Sequence, residues 1–191
     1  MTLTFKTLLP VTALALCTAA TPALAQQKLL PAQSDVAFVF KQMGVSVEGR
    51  FKKFDAKINF DATHLATSQV VFTVDIASAT LGIPEIDAEL PKPDWFNTAK
   101  FAQAMFTSTG FKALGGGKYD VAGKLTIKGQ SQDLVVPITM TQTGAVTTAT
   151  GAFPIKRLVF KIGENDWADT SLVANDVQIK FKLTLNGVGK L

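Results

Sequence analysis

Few side chains in this chain have the type and spacing that chemistry needs. Its 191 residues include one His and one Cys. His64 lies in the polar stretch Asp61-Ala-Thr-His64-Leu-Ala-Thr-Ser68. A lone imidazole could act as a general base or a metal ligand. No nucleophile motif accompanies it, so it reads as an exposed loop side chain. One Cys and one His cannot build a Cys/His zinc site, and one Cys cannot close an internal disulfide. No Gly-x-Ser-x-Gly elbow is present. Asp75, Glu85, Asp87 and Glu89 could pair as carboxylates for acid/base work. Asp87 and Glu89 are two residues apart, however, and point differently on a helix. Gly115-Gly116-Gly117 lacks the Lys-Ser/Thr of a phosphate loop and reads as a turn. Arg50 and Arg157, the only arginines, could grip an anionic headgroup in bidentate fashion. The general tendency of Arg places both at the surface. We assign no catalytic residue and no metal ligand.

Composition narrows the field further. Hydrophobic residues make up 47% and charged residues 18%, which excludes a disordered chain. The formal net charge of +4 comes from scattered lysines, not from a basic stripe that would suit nucleic acid. The length suits one domain, and no linker, repeat or charge block divides it.

Residues 1–25 read as a cleaved secretory signal. Lys6 gives a positive start, an apolar run follows from Leu8 through Leu16, and Ala23-Leu24-Ala25 offers small residues at the two recognised positions. The run is short for a spanning helix, which needs about 20 residues. Cleavage after Ala25 leaves 26–191, with Gln26 first and Cys17 removed. Leu16 is too large for the position before a lipidated Cys, so Cys17 reads as an apolar filler. Export across a membrane is the expected fate of the chain.

The remainder must be built of strands. Apolar residues alternate at Val36/Phe38/Phe40, Val45/Val47, Ile58/Phe60 and Val70/Phe72/Val74/Ile76. They do so again at Tyr119/Val121/Leu125/Ile127, Leu134/Val136/Ile138/Met140 and Val177/Ile179/Phe181/Leu183/Leu185. Period two is the mark of a half-buried strand. Gly115–Gly117 and Lys128-Gly129-Gln130-Ser131-Gln132 separate such runs as turns. Pro84 to Phe101 breaks the pattern. Pro91 and Pro93 forbid one long helix there, and Asp94 could cap a short helix beginning near Trp95. Two short helical turns crossing one end are expected. The whole reads as all-β, a small antiparallel barrel with one face inward and one wet. The strands look short for the ~25 Å apolar band of a membrane barrel.

Several of these runs resemble the YceI-like family. The likeness starts at Ser34-Asp-Val-Ala-Phe38-Val-Phe40-Lys41 with Gly44, and continues through Gly49-Arg-Phe51-Lys-Lys-Phe54 and Ile58-Asn-Phe60-Asp61. Asp94-Trp95-Phe96, Phe106-Thr-Ser108 and Gly123-Lys-Leu125-Thr126-Ile127-Lys-Gly129 follow in family order, and Val177-Gln-Ile179 closes it. The resemblance implies a lipocalin-like antiparallel β-barrel of about eight strands, with a short helical segment near one end. It also implies a periplasmic protein that binds polyisoprenoid lipid, such as isoprenoid quinones or polyprenyl phosphates, in an apolar tunnel. Two histidines common in the family are absent: Gln42 and Glu89 stand in their places. Gly163 to Asp169 resembles the branch linked to cytochrome b561-type membrane proteins, which makes such a protein a candidate partner. Self-association as a homodimer stays open.

The chain's 14 Phe against one Tyr supply aromatic surface without hydroxyls that need partners. The same rings could fill a solid core, and eight-stranded barrels come both filled and hollow. The resemblance implies a hollow one. Shared parity and mid-strand position then select Phe38, Phe40, Phe72, Val74, Leu125, Ile127, Ile179 and Phe181 as the inward, ligand-binding set. The segment from Pro84 to Phe101 would cover one barrel end and gate entry, and Trp95 within it joins the set as a residue that senses the bound tail. No cofactor is expected beyond the bound lipid. Three roles follow: a carrier of isoprenoid lipid, an enzyme acting on that lipid, or a filled interaction module serving a membrane redox partner.

Overall fold

Period-two alternation is realised as one antiparallel sheet that closes on itself. The computed structural model describes residues 26–191, so the expected signal segment and Cys17 lie outside the described residues. The strands are β1 (Lys28–Leu29), β2 (Asp35–Gln42), β3 (Val45–Phe51), β4 (Phe54–Asn59), β5 (Gln69–Asp75) and β6 (Ala79–Thr80). They continue as β7 (Gln103–Gly115), β8 (Lys118–Ile127), β9 (Gln130–Thr143), β10 (Val146–Lys156) and β11 (Val173–Asn186). One short helix, α1, spans Pro84–Asp87. Three pairs of short strands, β1 with β2, β3 with β4 and β5 with β6, act as bent staves interrupted by a 3₁₀ turn or kink. With β7 to β11 they make a closed barrel of eight staves. Closure comes from β1, which pairs with β11 on one side and β4 on the other. A closed barrel has no free edge to template aggregation.

Two-residue turns set the register at three hairpins. Met43-Gly44 and Lys128-Gly129 have positive φ at both positions, the geometry that matches strand twist. Gly144 alone supplies it between β9 and β10. The inward face carries glycines opposite phenylalanines. Gly49 pairs with Phe38 and Gly151 with Phe181. A Cβ at either glycine would collide with the facing ring. Bare backbone is therefore what lets these rings lie flat against the wall.

Two strands escape the alternation pattern. β7 is 13 residues long and β10 is 11. Their inward positions include Ala104, Gly151 and Ala149, too small to read as an apolar stripe. Strand length also departs from expectation, since β9 and β11 reach 14 residues. Length therefore does not argue against a membrane barrel. Facing does: apolar side chains point inward, while Lys124, Lys180 and Lys182 are exposed outside. An outer-membrane barrel has the reverse polarity. Among the described residues no helix is long and apolar enough to cross a membrane.

Buried apolar side chains form two clusters, a larger one toward the Leu81–Ala102 segment and one at the opposite end. There Phe60 meets Phe111 at 5.6 Å and Tyr119 at 5.3 Å, ring centre to ring centre, with Leu29, Met140 and Leu185 buried around them. The β7–β8 and β9–β10 turns lie at this end. At the other end lie the β2–β3 and β8–β9 turns, the segment from Leu81 to Ala102, and the loop from Arg157 to Leu172.

Candidate functional site: an apolar cavity under a two-loop cap

Between the two ends the barrel is hollow. A cavity of about 400 Å³ runs along the axis, within the range of small-molecule sites. Its walls come from the inward parity of the staves. Phe38 and Phe40 project from β2, Phe72 and Val74 from β5, Leu125 and Ile127 from β8, and Ile179 and Phe181 from β11. All eight expected inward residues border it, and so does Trp95. The solid-core alternative is thereby excluded for this conformation. Aromatic rings pack at a tilt along the wall, with the centres of Phe38 and Phe51 5.1 Å apart.

Polar groups collect at one end only. Gln42, Glu85, Glu89 and Arg157 are the lining residues with amide, carboxylate or guanidinium groups. All four belong to the end covered by the Leu81–Ala102 segment and the Arg157–Leu172 loop. Gln42 and Glu89 are the two positions at which the resemblance led us to expect histidines.

That cap differs from expectation in three ways. Asp94 does not start a helix at Trp95; the chain from Pro91 to Lys100 is a series of turns. Asp94 instead ties the two cap segments together. Its carbonyl accepts from the Gly163 and Glu164 amides at 2.8 and 2.9 Å, and its carboxylate accepts from Asn165 Nδ2 at 2.7 Å. Trp95 and Trp167 then face each other with ring centres 5.4 Å apart.

Arg157 is the second correction. Expected at the surface, it is 2% exposed. Its five N–H groups are all taken by backbone carbonyls. Nε donates to Ala174 at 3.1 Å, one terminal nitrogen to Ile162 and Gly163 at 2.8 Å each, and the other to Trp167 at 2.6 Å and Val173 at 2.7 Å. A planar fork of fixed donors suits this task. Burial presses its pKa below the usual value. The sequence does carry a signal for it: Phe153, Ile155 and Arg157 share the inward parity of β10. Arg50 fits its expected place outside, beside Asp35 and Glu48.

Lys128 is the third. The alternation puts it outside, yet it is 5% exposed. Its left-handed backbone in the β8–β9 turn redirects the side chain under the cap. There Nζ donates to the Pro93 and Lys161 carbonyls at 2.6 Å each and to Glu164 at 3.0 Å. It links the strand end to both cap segments.

Of the carboxylates suspected of acid/base work, Glu85 and Glu89 border the capped end of the cavity, while Asp75 and Asp87 are taken up by backbone and hydroxyl donors. Asp75 accepts from the Ala77 amide and caps a short turn. Asp87 accepts from the Thr80 hydroxyl at 2.5 Å and the Leu81 amide at 2.6 Å. Those bonds hold its pKa below the ordinary value, the Thr80 hydroxyl contributing most. Glu89 pairs with Lys92 at 2.5 Å. His64 is in the exposed loop at the Phe60 end, 3.0 Å from Asp61. Hydrogen bonds from Thr63, then from His64, lower the Asp61 pKa to about 2. Among the described residues no cluster of three His, Cys, Asp or Glu side chains could hold a metal.

A barrel of this fold has known counterparts. Residues 28–185 match the YceI-like domain. A UPF0312 protein of Photorhabdus laumondii is 38% identical over 135 residues, covering 69% of this chain and 70% of the relative. A UPF0312 protein of Vibrio cholerae is 33% identical over 106 residues, where this chain spans only 56% of the relative's length. Among solved structures, Burkholderia cenocepacia BcnA is 44% identical, with TM-score 0.79, covering 82% of this chain and 98% of that one. A polyisoprenoid-binding domain from Saccharophagus degradans is similar in fold, with TM-score 0.69 over 84% of this chain and 98% of that one. At 16% identity it informs on fold alone. The family match spans nearly the whole described barrel, so this chain belongs to the YceI-like family.

Proposed function

We propose that this protein is a periplasmic carrier or reservoir that holds the tail of an isoprenoid lipid along the barrel axis. The cavity supports this reading most directly: an apolar lumen lined by Phe38, Phe40, Phe72, Val74, Leu125, Ile127, Ile179 and Phe181, with polar groups at one end only. An isoprenoid tail removed from water gains up to ~0.8 kcal/mol per methylene-sized unit. Ordering the tail offsets much of this. The polyisoprenoid binding attributed to the Saccharophagus degradans domain is consistent with it. Export through the signal segment would deliver the carrier to the periplasm, where intact-mass data should show Gln26 as the first residue. A retained segment 1–25 would contradict export with cleavage.

The Pro84 to Phe101 segment would gate entry, with Trp95 as its sensor. A Trp167→Phe variant keeps Trp95 as its sole Trp. Its fluorescence should change saturably as a short-tailed isoprenoid quinone is added. A folded variant whose emission ignores the quinone would remove Trp95 from the path.

One observation favours a second role. Gly163 to Asp169, the stretch similar to the cytochrome b561-linked branch, forms part of the cap, where a membrane protein could receive the ligand. Quinone transfer to a reconstituted cytochrome b561-type protein should then slow when residues 163–169 are replaced. Unaltered transfer would argue against that partner.

A further inference from the structure

Anything that enters the cavity at its capped end must pass the cap. Leu90, Trp95 and Phe96 of one segment and Ile162 and Trp167 of the other border the lumen. The two segments are held in different ways. The Arg157–Leu172 loop is pinned by its own arginine. Arg157 holds the Ile162, Gly163 and Trp167 carbonyls together with those of Val173 and Ala174 at the start of β11. The stretch from Leu90 to Phe101 bonds chiefly to itself. The Trp95 and Asn97 amides donate to Lys92, Phe96 to Leu90, Thr98 to Pro91, and Lys100 and Phe101 to Asn97. Internal bonds of this kind let the stretch move as one body against a fixed loop.

Lys128 fastens one to the other. Among the described residues it is the only side chain outside the two segments that hydrogen-bonds to both. Nζ donates to the Pro93 carbonyl on the stretch, and to the Lys161 carbonyl and the Glu164 carboxylate on the loop. Its backbone φ of 48° is a turn position that Asn, Asp and Gly fill most readily. A local preference broken without gain to the turn marks a residue kept for another task. The chemistry of lysine suits release. Its ammonium is a strongly hydrated point charge on a flexible stem. When Pro93 lifts away, water replaces one carbonyl while Lys161 and Glu164 still hold the charge. Opening thus avoids the high cost of an unpaired buried cation.

We infer that Leu90 to Phe101 is a lid and Lys128 its latch, and that release of the latch sets how fast a ligand enters and leaves the lumen. The step rests on the carrier reading above. Lys128 lies outside the cavity lining, so it is a positioning residue that acts through the lid.

Two variants and a control test this. Lys128→Met keeps an unbranched stem and removes all three donors. Glu164→Gln keeps the two carbonyl bonds and removes the charged partner. Lys124→Met is the control, on the outer wall beside Asp133. Stopped-flow fluorescence follows entry and release of N-phenyl-1-naphthylamine, a neutral dye that brightens in apolar surroundings. Hydrogen exchange of the Gly163 and Glu164 amides, which donate to Asp94 across the lid edge, reports opening directly. Lys128→Met should raise both dye rates at least about tenfold, on the scale of hydrogen bonds to a charged group. The Kd should move by less than about threefold, because a latch that closes free and bound protein alike cancels from the equilibrium. Glu164→Gln should raise the rates about twofold to fivefold, as a partly exposed ion pair allows, and Lys124→Met should leave them unchanged. The Gly163 and Glu164 amides should lose protection in Lys128→Met well before those of β8. Unchanged dye rates in a folded Lys128→Met protein overturn the inference. So does a weaker Kd with an unchanged entry rate, which would make Lys128 part of the binding site. Protection lost equally in β8 also overturns it, since Lys128 would then only stabilise the barrel. If the dye does not bind wild-type protein, the carrier reading falls, and the exchange of the two amides alone decides the latch.

Discussion

At the scale of single residues, facing decides the effect of a substitution. Phe72 borders the lumen, while Lys180 and Lys182 are exposed on the outer face of β11. Phe72→Asp would bury a charge with no partner, so it should cost several kcal/mol or unfold the barrel. Lys180→Asp and Lys182→Asp should each cost under about 1 kcal/mol. Chemical denaturation that ranks them the other way would refute the facing. Arg157 invites a finer test. Arg157→Met leaves five buried carbonyls without donors and should cost at least about 3 kcal/mol. Arg157→Lys restores at most three donors and should fall between. Equal stability of all three proteins would show that the carbonyl cage contributes little. Both arginine and lysine were harder to read than phenylalanine. A cation's usual home is the surface, and only the tertiary path of the Arg157–Leu172 loop supplies the carbonyls that satisfy this one.

At the scale of elements, small residues and turns do what periodicity cannot announce. The strands with Phe, Val and Ile at every second position were legible, because burial on one face leaves that mark. β10 was not, since Ala149 and Gly151 hold inward places where the facing Phe181 ring fills the space. Gly49 and Phe38 allow this pairing to be tested. Gly49→Ala drives a methyl into the Phe38 ring and should cost about 1–3 kcal/mol. Adding Phe38→Leu should recover part of that loss, so the two changes should be non-additive. Additive effects would mean that the ring does not need bare backbone opposite it. The cap was half legible: its location over one barrel end followed from the broken pattern at Pro84 to Phe101. Its ties did not, because Asp94, Lys128 and Glu164 are far apart in sequence. Asp87 anchors the α1 end of the cap to Thr80, and the anchor depends on pH. Its folded pKa is depressed below 3.8. The stability it contributes is therefore complete above the unfolded carboxylate value of about 3.9 and is lost as pH falls through the lower folded value. Thr80→Val should raise the Asp87 pKa when followed by carboxyl NMR. An unmoved pKa would assign the shift to another neighbour.

At the scale of the whole molecule, a closed barrel gives an inside that every stave shares. Eight staves enclose room for one ligand or for side chains alone, and glycine–phenylalanine pairing keeps the rings against the wall. One end is sealed by Phe60, Phe111 and Tyr119, and the other is covered by segments that hydrogen bonds tie together and that bury Leu90, Phe96, Phe160 and Ile162 against the barrel wall. The cap is built of turns and loops without the strand pairing of the staves, and such elements open more readily than paired strands, so exchange of a ligand is expected at the Trp95 and Trp167 end. The central claim is that this lumen holds an isoprenoid lipid. Protein purified from its native cells without detergent should be extracted with organic solvent and its lipids weighed by mass spectrometry. The account predicts a polyprenyl species near one per barrel, much reduced in a folded Ala56→Trp variant that fills the lumen. Wild-type protein that yields no polyprenyl lipid, and takes none up when offered it, would contradict the account.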